Sequence, residues 1–223
     1  MNEIVTRIAQ LQKQLPQGVK LLAVSKYHPK EAIMEAYEAG QRLFGESRVQ
    51  EMTEKWENLP KDIEWHFIGH IQTNKIKYMI PYVSFIHGID SFYLLSEINK
   101  QAQKANRVVH CLLQLHVAKE ETKFGFTFDE CREMLTEGAW KDLKNVQITG
   151  IMAMASNTNN EAIVRQEFHS VNSFFQEIKA DYFATQNEFC EISMGMSHDY
   201  PLAIEEGSTL IRVGTFIFGD RVY

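Results

Sequence analysis

Short apolar runs alternate with helix-period segments along the whole chain, and this alternation restricts the fold more than any other feature. Residues 2–15 open it, with Ile4, Ile8, Leu11 and Leu15 spaced for one face of a helix. Apolar runs follow at 19–25, 43–45, 65–69, 83–87, 108–117, 147–152, 189–193 and 210–213. Helix signals separate them. Pro29 at a first helical position and Gly40 past the last turn bracket one segment. A polar helix reaches about Leu59, and another starts near Thr73. Asp90 or Ser91 caps the next, and Thr127 to Glu130 has the form of a capping box. Residues 160–178 form a long amphipathic helix, and a short one spans about 199–206. Eight strands in this rhythm predict a closed (β/α)8 TIM barrel, one domain over residues 1–223, with an open doubly wound sheet as the alternative. Little sequence follows the eighth run before Tyr223, so the N-terminal helix is expected to complete the outer ring.

Composition narrows the function classes. Hydrophobic residues at 44% and charged residues at 23% are ordinary for a globular chain of 223 residues. A formal charge of −6 disfavours non-specific nucleic-acid binding, which needs Lys and Arg against phosphates, but leaves room for a local phosphate site. Cys111, Cys131 and Cys190 form no CxxC and suggest neither a disulfide framework nor a zinc site. The first residues lack a signal peptide's apolar core, and no run reaches membrane-spanning length. These features predict a soluble, cytoplasmic protein.

Three segments carry chemistry. Lys26 closes the run Leu21-Leu22-Ala23-Val24-Ser25, which sets an amine at a barrel mouth. Partial burial there would lower its pKa and suit it to Schiff-base formation. Ser193-Met194-Gly195-Met196-Ser197 follows the seventh strand and enters a helix, offering hydroxyls and backbone N–H groups to an anion. Arg212-Val213-Gly214-Thr215 ends the eighth strand, with Arg212 and Gly214 on one face by the period of two. In a closed barrel the first strand adjoins the eighth, so lysine, phosphate cradle and inward arginine meet at one mouth. That combination suggests pyridoxal 5′-phosphate.

With those segments in place, the chain resembles the pyridoxal-phosphate homeostasis protein family, single-domain relatives of the alanine racemase barrel. The matching segments are Ala23–Lys26, Phe44-Gly45-Glu46, Trp65 to Lys75, Ser193–Ser197 with Asp199, Gly207-Ser208-Thr209, and Arg212–Thr215 through Phe218-Gly219. The resemblance implies that Lys26 forms an aldimine with the cofactor, and that Ser193, Gly195, Met196, Gly214 and Thr215 surround its phosphate. It implies that Arg212 faces the pyridine nitrogen, where a cation disfavours ring protonation and weakens the electron sink. It further implies a monomeric carrier that binds the cofactor, passes it to apo-enzymes and regulates vitamin B6 and amino-acid balance. The alternative is a racemase. Two-base racemisation needs a second acid–base group, which alanine racemases take from a partner's C-terminal β-domain, and no such domain is expected here. His87, Asp90 and Ser91 match a family segment without an assigned role. Ser47-Arg48 stands where the family often has Asn-Tyr, and Tyr27 and His28 replace smaller or basic residues.

Other candidates have plainer readings. His66 and His70 have metal-ligand spacing only if helical, and 65–69 reads as a strand, so no metal site is expected. Lys75 is expected in solvent, while Lys123 is a candidate for contact at the mouth. Met152 and Met154 read as core filling, and Glu46 as a general base or helix cap.

Overall fold

The computed structural model describes residues 3–118 and 124–220. Among these, eight parallel strands close a barrel in sequence order: β1 (Lys20–Val24), β2 (Leu43–Glu46), β3 (Glu64–Phe67), β4 (Phe85–Ile89), β5 (Val109–Leu115), β6 (Val146–Ala153), β7 (Glu191–Ser193) and β8 (Leu210–Val213). β8 returns to β1 with Leu22 opposite Arg212. The open-sheet alternative is therefore set aside.

The helices are α1 (Glu3–Gln14), α2 (Lys30–Glu38), α3 (Val49–Asn58), α4 (Ile76–Met79), α5 (Phe92–Lys104), α6 (Phe128–Glu137), α7 (Glu161–Tyr182), α8 (Tyr200–Glu205) and α9 (Thr215–Phe218). α1 buries Ile8 and Leu11, and its Arg7 Nη1 donates to the Ile217 carbonyl at 3.4 Å. It thus closes the ring beside the short α9. α6 opens with the expected capping box, and Ser91 caps α5 by accepting from the Leu94 N–H at 3.2 Å.

Boundaries move where local turns compete with the apolar pattern. β4 starts at Phe85 rather than at residue 83, because the Tyr82 and Val83 N–H groups both close a turn onto the Met79 carbonyl (3.1 and 2.8 Å). The helix near Thr73 begins as a 3-10 turn, Thr73–Lys75, and α4 is only a single turn.

Outward strand positions such as Phe44, Trp65 and Phe67 are fully buried beneath the helices, each worth roughly 1.5–3 kcal/mol of apolar burial. The barrel interior is different. Barrels of this kind fill mainly with branched aliphatics, but here His66, His87, Ser193 and Arg212 are all buried inside. At the amino ends of the strands, Lys20 pairs with Glu191.

Candidate active-site cleft

A cleft of about 370 Å³ opens at the carboxyl ends of the strands, within the roughly 300–1,000 Å³ typical of small-molecule sites. Lys26, Met196, Arg212, Gly214 and Thr215 line it. These five come from β1, the β7–α8 loop and the end of β8, and the closure of β8 on β1 is what unites them.

Lys26 sits between two pinned neighbours. Ser25 before it donates its hydroxyl to Glu46 Oε1 (2.7 Å), and its carbonyl accepts from Lys55 Nζ (2.9 Å). Tyr27 after it has φ 69°, a left-handed conformation rare for a non-glycine residue. The Tyr27 N–H donates to Glu51 Oε1 at 2.6 Å, and the Arg48 guanidinium lies 4.9 Å from the Tyr27 ring centroid. Lys55 Nζ also bonds Glu46 and Glu51, each at 2.7 Å. Burial raises the Glu46 carboxyl to about 7 although Lys55 pulls it down. Glu46 is therefore neither a general base in the cleft nor a cap. It is a buried brace behind β1 and β2, and Arg48 holds the N-cap position of α3.

Arg212 is held on the neighbouring strand, β8. Its Nη1 donates to the Ser193 carbonyl and hydroxyl, both at 2.7 Å, and Nη2 donates to the Ala153 carbonyl at 2.9 Å. A guanidinium has five N–H donors, so two remain without a described protein acceptor. Burial lowers Arg212 to about 10, which leaves it protonated at neutral pH.

The turn between β7 and α8 places a second hydroxyl. Ser197 Oγ accepts from the Gly214 and Phe216 N–H groups at 3.3 and 3.5 Å. Gly214 must be small, since a Cβ there would lie 3.0 Å from the Val24 carbonyl oxygen. Gly195 has φ +93°, and a Cβ would sit 2.6 Å from that of Ala203.

The structure redistributes several expected roles. Ser193 and Gly195 do not line the cleft. The Ser193 side chain is turned into the barrel by Arg212 and by His87 Nδ1 at 3.1 Å, and the Gly195 carbonyl accepts the Arg212 backbone N–H at 2.9 Å. Ser197 supplies the hydroxyl in the cleft. Met152 and Met154 face it too, rather than merely filling core, as do His28, Ile68 and Asn157. Of these, only Ser197 stands in a segment whose residues point to a ligand, Ser193–Ser197; His28, Ile68 and Asn157 carry no such signal. His66 and His70 part company: His66 bonds His87 inside the barrel, whereas His70 stacks on the Phe124 ring at 3.9 Å. Lys75 lies on a separate surface groove beside Tyr78. Lys123 and Tyr223 lie outside the described residues.

Comparison with known proteins agrees with this fold. The family model for the alanine racemase N-terminal domain matches residues 1–222. A pyridoxal phosphate homeostasis protein of Aquifex aeolicus is 38% identical over 100% of this chain and 97% of its own. One of Vibrio alginolyticus is 37% identical over 93% of this chain and 89% of its own. The structure of PipY of Synechococcus elongatus PCC7942 with PLP bound superimposes with a TM-score of 0.87 at 39% identity, covering 97% of this chain and 100% of that one. An alanine racemase of Clostridium difficile 630, at 11% identity and a TM-score of 0.77 over 98% of this chain and 56% of that one, shares the fold alone. The chain belongs to the alanine racemase N-terminal domain family, among its pyridoxal phosphate homeostasis proteins.

Proposed function

We propose that the cleft holds pyridoxal 5′-phosphate through Lys26, and that the protein is a cytoplasmic, monomeric carrier of that cofactor rather than an enzyme. The observation that carries this reading is the meeting of Lys26, Arg212 and the Ser197–Gly214–Thr215 turn around one cleft. The donor set fits the group: an amine for the aldehyde, two spare guanidinium N–H groups for the ring nitrogen, and the Ser197 and Thr215 hydroxyls for the phosphate. The close approach at Gly214, where a Cβ would press on Val24, brings the end of β8 against β1 and so the turn beside Lys26. When bound, the cofactor supplies an electrophilic aldehyde and an electron-withdrawing ring.

Lys26 Nζ holds the aldehyde carbon, and the bonds on Ser25 and Tyr27 fix where that amine begins. Met196, Ser197, Gly214 and Thr215 surround the phosphate. Ser193 and Gly195 act one step back, by holding Arg212 and its strand. Arg212 stays protonated and offers N–H donors only, so it keeps the ring nitrogen unprotonated and the ring a weak electron sink. That favours holding the cofactor over turning over amino acids, in keeping with the homeostasis proteins among its relatives. Release to apo-enzymes, with effects on vitamin B6 and amino-acid balance, completes the proposal.

The test is titration of the protein with pyridoxal phosphate, followed by visible absorption, with amino-acid turnover assayed on the loaded protein. The carrier reading expects saturable binding with racemisation or transamination near background. Rapid turnover of one amino acid would make the protein an enzyme, and absence of binding would remove the cofactor.

A further inference from the structure

A hydrogen-bonded chain crosses the barrel interior beneath Arg212. Arg212 Nη1 lies 2.7 Å from Ser193 Oγ, Ser193 Oγ lies 3.1 Å from His87 Nδ1, and His87 Nε2 lies 2.9 Å from His66 Nδ1. β4 and β7 are not neighbours in the sheet, so the His87–Ser193 link passes through the interior itself. All four side chains are at most 5% exposed.

Proton counting gives the chain a direction. Arginine only donates, so Ser193 accepts from Arg212 and, among the described residues, its own hydroxyl hydrogen has one acceptor within reach, His87 Nδ1. His87 then carries its proton on Nε2 and donates to His66 Nδ1, which places the His66 proton on Nε2. The reverse order would leave two groups unmatched, the Ser193 hydrogen and the His66 Nε2 lone pair, against one, the His66 Nε2 hydrogen, in this order. His66 Nε2 has no partner among the described residues, so the chain ends there. Both rings are neutral: burial holds each well below its ordinary pKa, with Lys20 and His110 acting on His66, and His66 and Arg212 acting on His87. Asp199 acts on Arg212 in turn.

We propose that His66, His87 and Ser193 are positioning residues, a one-way hydrogen-bond chain donating away from Arg212 that fixes how its guanidinium faces the cleft. Each donation makes the donor oxygen or ring a better acceptor for the link before it, so the chain tightens the Arg212–Ser193 bond. The consequence for the ligand rests on the proposed function, whereas the direction of the chain does not.

The experiment is long-range proton–nitrogen NMR on the ligand-free, full-length protein with labelled histidine, using His66→Phe and His87→Phe to assign the two rings. Both rings are expected in the Nε2–H form with no titration between pH 8 and 6. An Nδ1–H ring at either position, or titration in that range, overturns the proposal. Ser193→Ala should move the His87 Nδ1 resonance and weaken pyridoxal-phosphate binding roughly ten-fold, as expected for a lost bond to a charged group. Ser193→Thr should restore most of both. An unchanged His87 resonance in Ser193→Ala overturns the chain, and if that variant does not fold the wild-type ring states decide alone. Wild-type protein that shows the predicted rings but binds no pyridoxal phosphate refutes the cleft's ligand and leaves the chain standing.

Discussion

Two buried polar clusters flank the cleft, and they solve the same desolvation problem in opposite ways. Behind β1 and β2, Glu46, Lys55 and Glu51 bury charges and compensate them with one another. Inside the barrel, His66, His87 and Ser193 stay neutral and carry a single charge, Arg212, at the end nearest the cleft. The first cluster holds the backbone on either side of Lys26 from outside. The second holds a side chain from within. A brace for backbone tolerates paired ions, while Arg212, lining the cleft, has no carboxylate in hydrogen-bond contact among the described residues.

Breaking the ionic brace should have the largest effect. Lys55→Met takes away the cation that holds the Glu46 carboxyl down, so Glu46 must take up a proton or stay buried unpaired, and the Ser25 carbonyl and Glu51 lose a donor; unfolding in urea should show a loss of about 3–5 kcal/mol. The double variant Glu46→Leu with Lys55→Met should recover most of that. Equal loss in both would mean that Lys55 contributes packing rather than charge.

Acid separates the clusters by sign. A buried neutral histidine has a lowered folded pKa, about 3 for His66, so its contribution is complete above the unfolded value near 6.5 and is lost as pH falls. Glu46, raised to about 7, does the opposite: its contribution is complete below its unfolded value and fades as pH rises. Between about pH 6 and 5, each group contributes about 1.4 kcal/mol per pH unit. The lowered histidines, His66, His87 and His110, outnumber the one raised carboxyl, so stability falls on acidification. Glu46→Gln should steepen that fall by about 1.4 kcal/mol per unit, read from urea midpoints at stepped pH. An unchanged slope would remove the raised carboxyl from the account.

A smaller loss is expected at the neutral chain. His87→Phe strips Ser193 and His66 of partners and should cost about 1–3 kcal/mol, again by urea unfolding. The exposed pair Arg132–Glu177 is a contrast with both buried clusters. Arg132→Ala should change stability by less than about 1 kcal/mol, and a larger loss would show that burial is not what separates these ion pairs.

The barrel could be read from the sequence because its signals are local: short apolar runs, a proline at a helix start, and the Thr127–Glu130 capping box. The same locality explains the errors. Tyr82 and Val83 extend an apolar run, yet their N–H groups belong to a turn. The cleft was half visible: the ends of β1 and β8 follow from strand alternation, but which serine of Ser193 and Ser197 faces the cleft depends on a turn with Gly195 at positive φ. The His87–Ser193 bond joins residues 106 positions apart, and no spacing rule in one chain reaches that far. Glu46 looked like chemistry because it is a carboxylate near a strand end; only its outward side and Lys55 reveal a brace.

The most direct test of the central claim is borohydride reduction after incubation with pyridoxal phosphate, followed by peptide mass mapping of wild type and Lys26→Ala. The account predicts a pyridoxyl group on the Lys26 peptide in the wild type and none trapped in the folded variant. A label mapping to another lysine in the wild type, or an undiminished label in Lys26→Ala, would contradict it.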